Sequence, residues 1–156
     1  IPDIDQPLDT GTEVKLHVPA LIPEDYLPDI TTRLVLYKRI AQAGSAEQLR
    51  EIQVEMIDRF GLLPEPIKNL FTAAMIRVRA QSLGISEIDI ADEGGSIEFT
   101  ATTVVEPADI VTLIQSDPLC YSLSGSGKLR VKKSLPTLDA RAEFVENLIS
   151  PWLEAA

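Results

Sequence analysis

The chain has 156 residues, 45% of them hydrophobic and 24% charged, a balance that suits one globular domain with a core that needs no metal or disulfide. A single cysteine, Cys120, excludes an internal disulfide, and one histidine beside it is too few for a zinc site of the usual ligands. The net charge of −10 opposes phosphate backbones, which demand Lys/Arg surfaces, and favours basic protein surfaces as partners.

No apolar run approaches the ~18–20 residues that span a bilayer, and the start lacks the basic and apolar regions of an export signal. The expectation is a soluble, cytoplasmic protein. The chain begins at Ile1 rather than methionine, as a piece of a longer polypeptide would. Charge is unevenly placed. Residues 1–29 carry seven acids against one base, residues 85–109 seven acids and no base, and residues 110–136 four bases and one acid.

In chain order, residues 1–12 read as an Asp/Pro/Gly-rich leader or linker, with a single domain over 13–156. Glu13 to Val18 alternates, Val14, Leu16 and Val18 against Glu13, Lys15 and His17, which predicts a half-buried strand. Pro19, Pro23 and Pro28 keep the next segment out of a helix. A helix is expected over Asp29–Ala43, with Ile30, Leu34, Tyr37 and Ala41 on its apolar face, widened by Leu36 and Ile40. Gly44 stops it, and Ser45 with Gln48 offers a capping box for a second helix ending at Gly61. A third helix starts at Pro64/Pro66, turns Ile67, Leu70, Phe71, Ala74 and Val78 inward, and ends by Gly84.

The period then changes from helical to alternating. Ile88 and Ile90, the turn residues DEGG, and Ile97 and Phe99 describe a β-hairpin. A short helix from Pro107 to Gln115 follows. A second hairpin, Tyr121–Leu123 and Lys128–Lys132, turns through SGSG. A last helix from Thr137 presents Leu138, Ala142, Val145, Leu148 and Trp152, with a kink or restart expected at Pro151. The order predicts an α+β fold: a mainly antiparallel sheet made of an N-terminal strand and two hairpins, packed with about five helices.

No catalytic constellation emerges. Gly125, Gly127 and Lys128 lack the upstream glycine and the Ser/Thr of a phosphate loop, so a hairpin turn is the simpler reading. His17 has no nucleophile near it in sequence and reads as a surface histidine. Cys120 reads as a small buried residue beside a hairpin. Lys128, Arg130 and Lys132 make a weak basic patch without interleaved aromatics, and they carry the alternative reading of a nucleic-acid-binding module using the 128–133 strand.

The second helix is different. On a wheel of about 100° per residue, Glu47, Glu51, Glu55 and Asp58 share one stripe, and Val54 lies beside it. Leu49, Ile52, Met56, Ile57 and Phe60 form the opposite, core-facing side. Like charges four residues apart repel, and Glu55 and Asp58 sit toward the helix end that prefers cations. On pattern alone a solvated acidic face explains this. The other reading is a docking face for an arginine-bearing partner.

Five runs carry a family resemblance: VPALIPEDYLPD, TRLVLYKRIA, EIQVEMIDRFGLLPEP, LGI at 83–85 and GGSIEF at 94–99. Together they resemble the C-terminal domain of the bacterial transcription-repair coupling factors (TRCF, Mfd), over roughly residues 13–155. YKRIA followed by IDRFG is the most specific part. The region past Glu106 matches mainly by pattern. The resemblance implies a non-catalytic module, without cofactor or metal, of an ATP-driven DNA translocase that displaces stalled RNA polymerase. The implied partner is the UvrB-like module of the same polypeptide, whose UvrA-binding surface the domain masks, so that UvrA and RNA polymerase are reached only indirectly. No direct contact with nucleic acid or membrane is implied, and the motor motifs are absent from these residues. The family's acidic docking position falls on Glu55, with Asp58 next on the same face. Glu51 and Val54 join them by extension along the wheel.

Overall fold

A computed structural model describes residues 12–124 and 127–155. The elements in order are β1 (Glu13–Lys15), α1 (Ile30–Gln42), α2 (Ala46–Phe60), α3 (Glu65–Gln81), β2 (Ile85–Ala91), β3 (Gly94–Phe99), α4 (Pro107–Ser116), β4 (Tyr121–Leu123), β5 (Leu129–Lys132) and α5 (Leu138–Ala155). The five strands form one sheet in the order β1-β2-β3-β5-β4. Three of its pairings are antiparallel, and β1 pairs with β2 in parallel, Val14 opposite Ile88. The α+β expectation with a mainly antiparallel sheet and five helices therefore holds.

Apolar side chains collect in two clusters. Ile88, Ile90 and Ile97 of the first hairpin and Leu129 and Val131 of β5 meet Val145, Ile149 and Trp152 of α5. Leu36 and Ile40 of α1 meet Leu49, Ile52 and Met56 of α2 in the other. Helix α3 belongs to both. Ile67, Phe71 and Ala74 enter the helical cluster, while Ile76 and Ala80 enter the sheet cluster. A helix apolar on two sides is what its sequence of small and large apolar residues allows, and burying both sides fixes the two halves against each other.

Several expectations need correction. The first strand is three residues long rather than six, because the chain turns at His17, whose φ is +59°. The Leu16 carbonyl there accepts from the buried Arg141 guanidinium at 2.9 Å. On α1 the expected apolar face is only partly buried: Leu36 and Ile40 are buried, but Ile30 and Leu34 are exposed. Only the C-terminal half of that helix is covered, since α2 and α3 pack there. Helix α5 does not restart at Pro151 but continues through it to Ala155. Cys120 is half-buried rather than buried. Asn69, polar and unnoticed in the pattern, is buried and donates to the Pro19 carbonyl at 2.8 Å, which holds the proline-rich segment to α3. Of the expected leader, Thr12 is buried and donates to the Ile85 carbonyl, and residues 1–11 lie outside the described residues, as do Gly125 and Ser126 of the second hairpin turn.

The turn after β2 is Asp92–Glu93, and Gly94 and Gly95 are the first residues of β3. They are there for want of a side chain. A Cβ on Gly95 would lie 1.8 Å from the Asp89 carbonyl oxygen, and one on Gly94 would lie 2.2 Å from that of Val131. Gly95→Ala is expected to destabilise the domain by about 3 kcal/mol, the upper end of overpacking. Urea denaturation measures this, and a loss below about 1 kcal/mol would show that β3 yields easily.

Candidate functional site

Helix α2 is fixed at both ends. Its N-cap, Ser45, accepts from the Gln48 amide at 3.1 Å, and the Gln48 side chain accepts from the Gly44 amide at 2.6 Å, one residue before the reciprocal partner of a capping box. At the other end Gly61 adopts φ +104°, a conformation that favours glycine. The Tyr26 hydroxyl donates to the Gly61 carbonyl at 2.8 Å, and the Tyr26 ring meets Phe60 edge-on. Leu49, Ile52 and Met56 bury the inner face. Ile57, expected in the core, is 39% exposed, because it sits at the margin of that stripe.

The outer face carries Glu47, Arg50, Glu51, Val54 and Asp58, all exposed. Glu55 behaves differently. The guanidinium of Arg39, on α1, donates to both of its carboxylate oxygens at 2.9 Å. Arg59, one turn along α2, donates to Glu55 Oε2 at 3.2 Å and lies over the Phe60 ring. Arg39, with Arg59 adding to it, holds the Glu55 carboxyl below its ordinary range. Glu55 is thus half of a fork-to-fork ion pair that joins two helices. Glu47, Glu51 and Asp58 make no ion pair or side-chain hydrogen bond with any described residue, and Val54 is 58% exposed among them. The stripe divides into a compensated carboxylate and three free ones.

Arg39 was not visible as part of this arrangement. It lies sixteen residues before Glu55, and nothing in the spacing couples them until α1 and α2 are packed side by side. Leu62, just beyond Gly61, is 85% exposed.

The remaining candidates are simpler. His17 Nε2 lies 2.6 Å from Asp89 Oδ1, an exposed contact that ties the bend after β1 to β2. Arg130 and Lys132 are exposed on β5, opposite Ser96 and Gly94 of β3. The same outward side of the sheet carries Glu87 and Glu98, paired across β2 and β3, with Glu13 next to Glu87. No group of three or more His, Cys, Asp or Glu side chains among the described residues is placed to hold a metal ion. No described helix is long and apolar enough to cross a membrane.

The geometry defines an α+β domain whose distinctive surface is one helix face rather than a cleft. A crystal structure described as the C-terminal domain of transcription-repair coupling factor superposes on it with a TM-score of 0.71, covering 89% of this chain and 92% of that one at 22% identity. The family model of the TRCF domain matches residues 16–110. The chain belongs to that family: it is the C-terminal TRCF domain of a transcription-repair coupling factor. The transcription-repair-coupling factor of Escherichia coli (strain K12) is 41% identical over 155 residues, 99% of this chain and 14% of that protein. Its counterpart in Haemophilus influenzae is 41% identical over 148 residues, 95% of this chain and 13% of that protein. The chain therefore spans about one-seventh of the length of these relatives.

Glu55→Gln removes the charge that the two arginines share. The pair is more than a third exposed, so the loss at neutral pH is expected to stay below about 1 kcal/mol. Because folding lowers the Glu55 pKa, its contribution is complete above the unfolded carboxyl value of about 4.3 and fades as pH falls through the lower folded value. Thermal midpoints of the parent and variant should differ at pH 7 and converge at acid pH. A constant gap would show that the side chain acts by packing alone.

Proposed function

We propose that this domain is a non-catalytic, autoinhibitory module that packs on the UvrB-like module of its own polypeptide and masks the UvrA-binding surface there. The observation that carries this reading is the outer face of α2, where exposed carboxylates surround exposed aliphatic side chains in a chain that belongs to the TRCF family. Glu51 and Asp58 supply acceptors for a basic partner surface, and Val54 supplies the apolar contact between them. Such an arrangement gives electrostatic steering at the rim and burial at the centre. Glu55 contributes in two capacities, fixing α1 to α2 through Arg39 and presenting the same carboxylate beside Asp58. UvrA and RNA polymerase are reached through the parent factor rather than by this domain.

The nucleic-acid reading gains little support. Arg130 and Lys132 share their side of the sheet with Glu13, Glu87 and Glu98, and a phosphate backbone crossing that side would meet both signs of charge.

The cleanest test uses Asp58, which no described residue engages. Asp58→Lys in the full-length factor is expected to raise UvrA binding and ATPase activity at least several-fold while leaving the thermal midpoint of the isolated domain unchanged. The charge-exchange pair Arg39→Glu with Glu55→Arg restores the interhelical ion pair but reverses the sign at the docking position, so it should also release UvrA binding. Wild-type UvrA binding in both variants would remove α2 from the interface.

A further inference from the structure

Helices α4 and α5 turn one face each towards a common cleft of about 500 Å³. Asp109, Thr112, Leu113 and Ser116 of α4 recur at helical spacing, as do Phe144, Leu148 and Trp152 of α5, and Tyr121 of β4 lines the cleft too. The Tyr121 and Phe144 rings stack with centroids 6.3 Å apart. No residue of α2 lines this cleft, which borders the sheet cluster rather than the helical one.

Three observations define what the cleft would take. First, α4 is apolar but poorly covered. Ala108, Ile110, Val111, Leu113 and Ile114 are half of its ten residues, yet none of the ten is fully buried, so part of its apolar side has no cover. Second, the exposed charges of the two helices are all acidic: Asp109 on α4, and Asp139, Glu143 and Glu154 on α5. Arg141, the one base of α5, is buried and donates to the Leu135 and Leu16 carbonyls. Third, Asp109 makes no ion pair with any described residue. The hydroxyls of Thr112 and Ser116 are taken up by the Ala108 and Leu113 carbonyls of their own helix. An unpaired carboxylate beside aromatic and aliphatic walls suits a guanidinium or ammonium group whose stem lies along those walls. The same charges oppose a phosphate backbone, the α4–α5 face of a second copy, and residues 1–11, which hold three acids and no base.

We propose that the α4–α5 cleft is a second protein-interaction site, which takes an amphipathic helix of a partner protein whose apolar stripe is edged by arginine or lysine. Two helix faces with side chains at i, i+3, i+4 and i+7 leave a trough that a third helix fills with the same spacing. The partner's aliphatic side chains enter among Leu113, Tyr121, Phe144 and Trp152, and a basic side chain at the stripe's margin reaches Asp109. Both contacts come from one side of the partner helix, as a single cleft requires. The site uses no residue of α2 and stands if the docking of that face fails.

Trp152 is the chain's single tryptophan, so its fluorescence reports on the cleft. The test uses the whole 156-residue chain and a capped helical peptide of about 15 residues, with leucine at i, i+3, i+4 and i+7 and arginine beside the leucines. A control peptide carries glutamate at the arginine positions. The arginine peptide should shift Trp152 emission and bind at least tenfold more tightly than the control. Asp109→Lys should reduce that preference at least fivefold, weakening the first peptide and strengthening the second. Thr112→Arg, at an exposed position in the cleft, should abolish the response without lowering the thermal midpoint. Equal affinity for the two peptides, a preference unmoved by Asp109→Lys, a response that survives Thr112→Arg, or no binding at all would each overturn the proposal. A Trp152 signal that changes with the concentration of the chain alone would assign the cleft to a second copy, and binding only after removal of residues 1–11 would assign it to the chain's own leader. Either result overturns the partner assignment.

Discussion

The structure depends on α3 being apolar on two sides. A sheet with one buried face and a helical pair with one buried face could each be satisfied by any apolar neighbour. They are held in one arrangement because Phe71 and Ala74 belong to the helical cluster and Ile76 and Ala80, a few residues on, belong to the sheet cluster. Phe71, Ile76 and Ala80 are at most 1% exposed, and burying each large apolar side chain is worth roughly 1.5–3 kcal/mol. Rotating α3 by a fraction of a turn would expose one set in order to bury the other. The position of α2 follows from that constraint, since α2 packs on α1 and α3 and is held at its end by Tyr26.

Local signals decided which parts of this architecture were legible. Gly61 and Ser45 marked the ends of α2 because capping and left-handed backbone are properties of a few adjacent residues. The two hairpins were visible because alternation survives in short windows. What failed was non-local. The apolar residues Ile30 and Leu34 of α1 looked like core because sequence shows periodicity without showing how far a neighbouring helix extends. Glu13–Val18 looked like six residues of strand because nothing in its alternation announces the turn at His17. The parallel pairing of β1 with β2 joins residues more than seventy positions apart, and Arg141 reaches Leu16 across 125 positions. Neither leaves a trace in composition or period.

The candidate site shows the same division. The acidic stripe of α2 was readable from helical geometry, and the family resemblance directed attention to Glu55 within it. The structure separates the stripe's members by what already satisfies them. Glu55 is bound through both oxygens by Arg39 and again by Arg59, so the three side chains together carry one positive charge at neutral pH. Its charge is largely committed within the domain. The uncommitted negative charge lies on Glu47, Glu51 and Asp58. A substitution at Glu55 therefore disturbs both the interhelical ion pair and the surface charge, whereas a substitution at Asp58 disturbs the surface charge alone.

That sharing of a residue between fold and surface bears on how the acidic stripe can exist. Four carboxylates on successive turns repel, at a few tenths of a kcal/mol for each pair four residues apart. Arg50 and Arg59 on α2 and Arg39 on α1 offset part of that repulsion. Were the face only solvated, exchanging a carboxylate for glutamine would relieve the rest at no cost to the core, because Glu47, Glu51 and Asp58 make no described ion pair or side-chain hydrogen bond. The outward sheet face presents a similar row, Glu13 beside Glu87 beside Glu98, but there Lys15 stands 3.1 Å from Glu87 and 3.8 Å from Glu13. Repulsion answered by a lysine explains itself within the domain. On α2 the free carboxylates find no such answer among the described residues, and a basic surface brought to that face from outside would supply one.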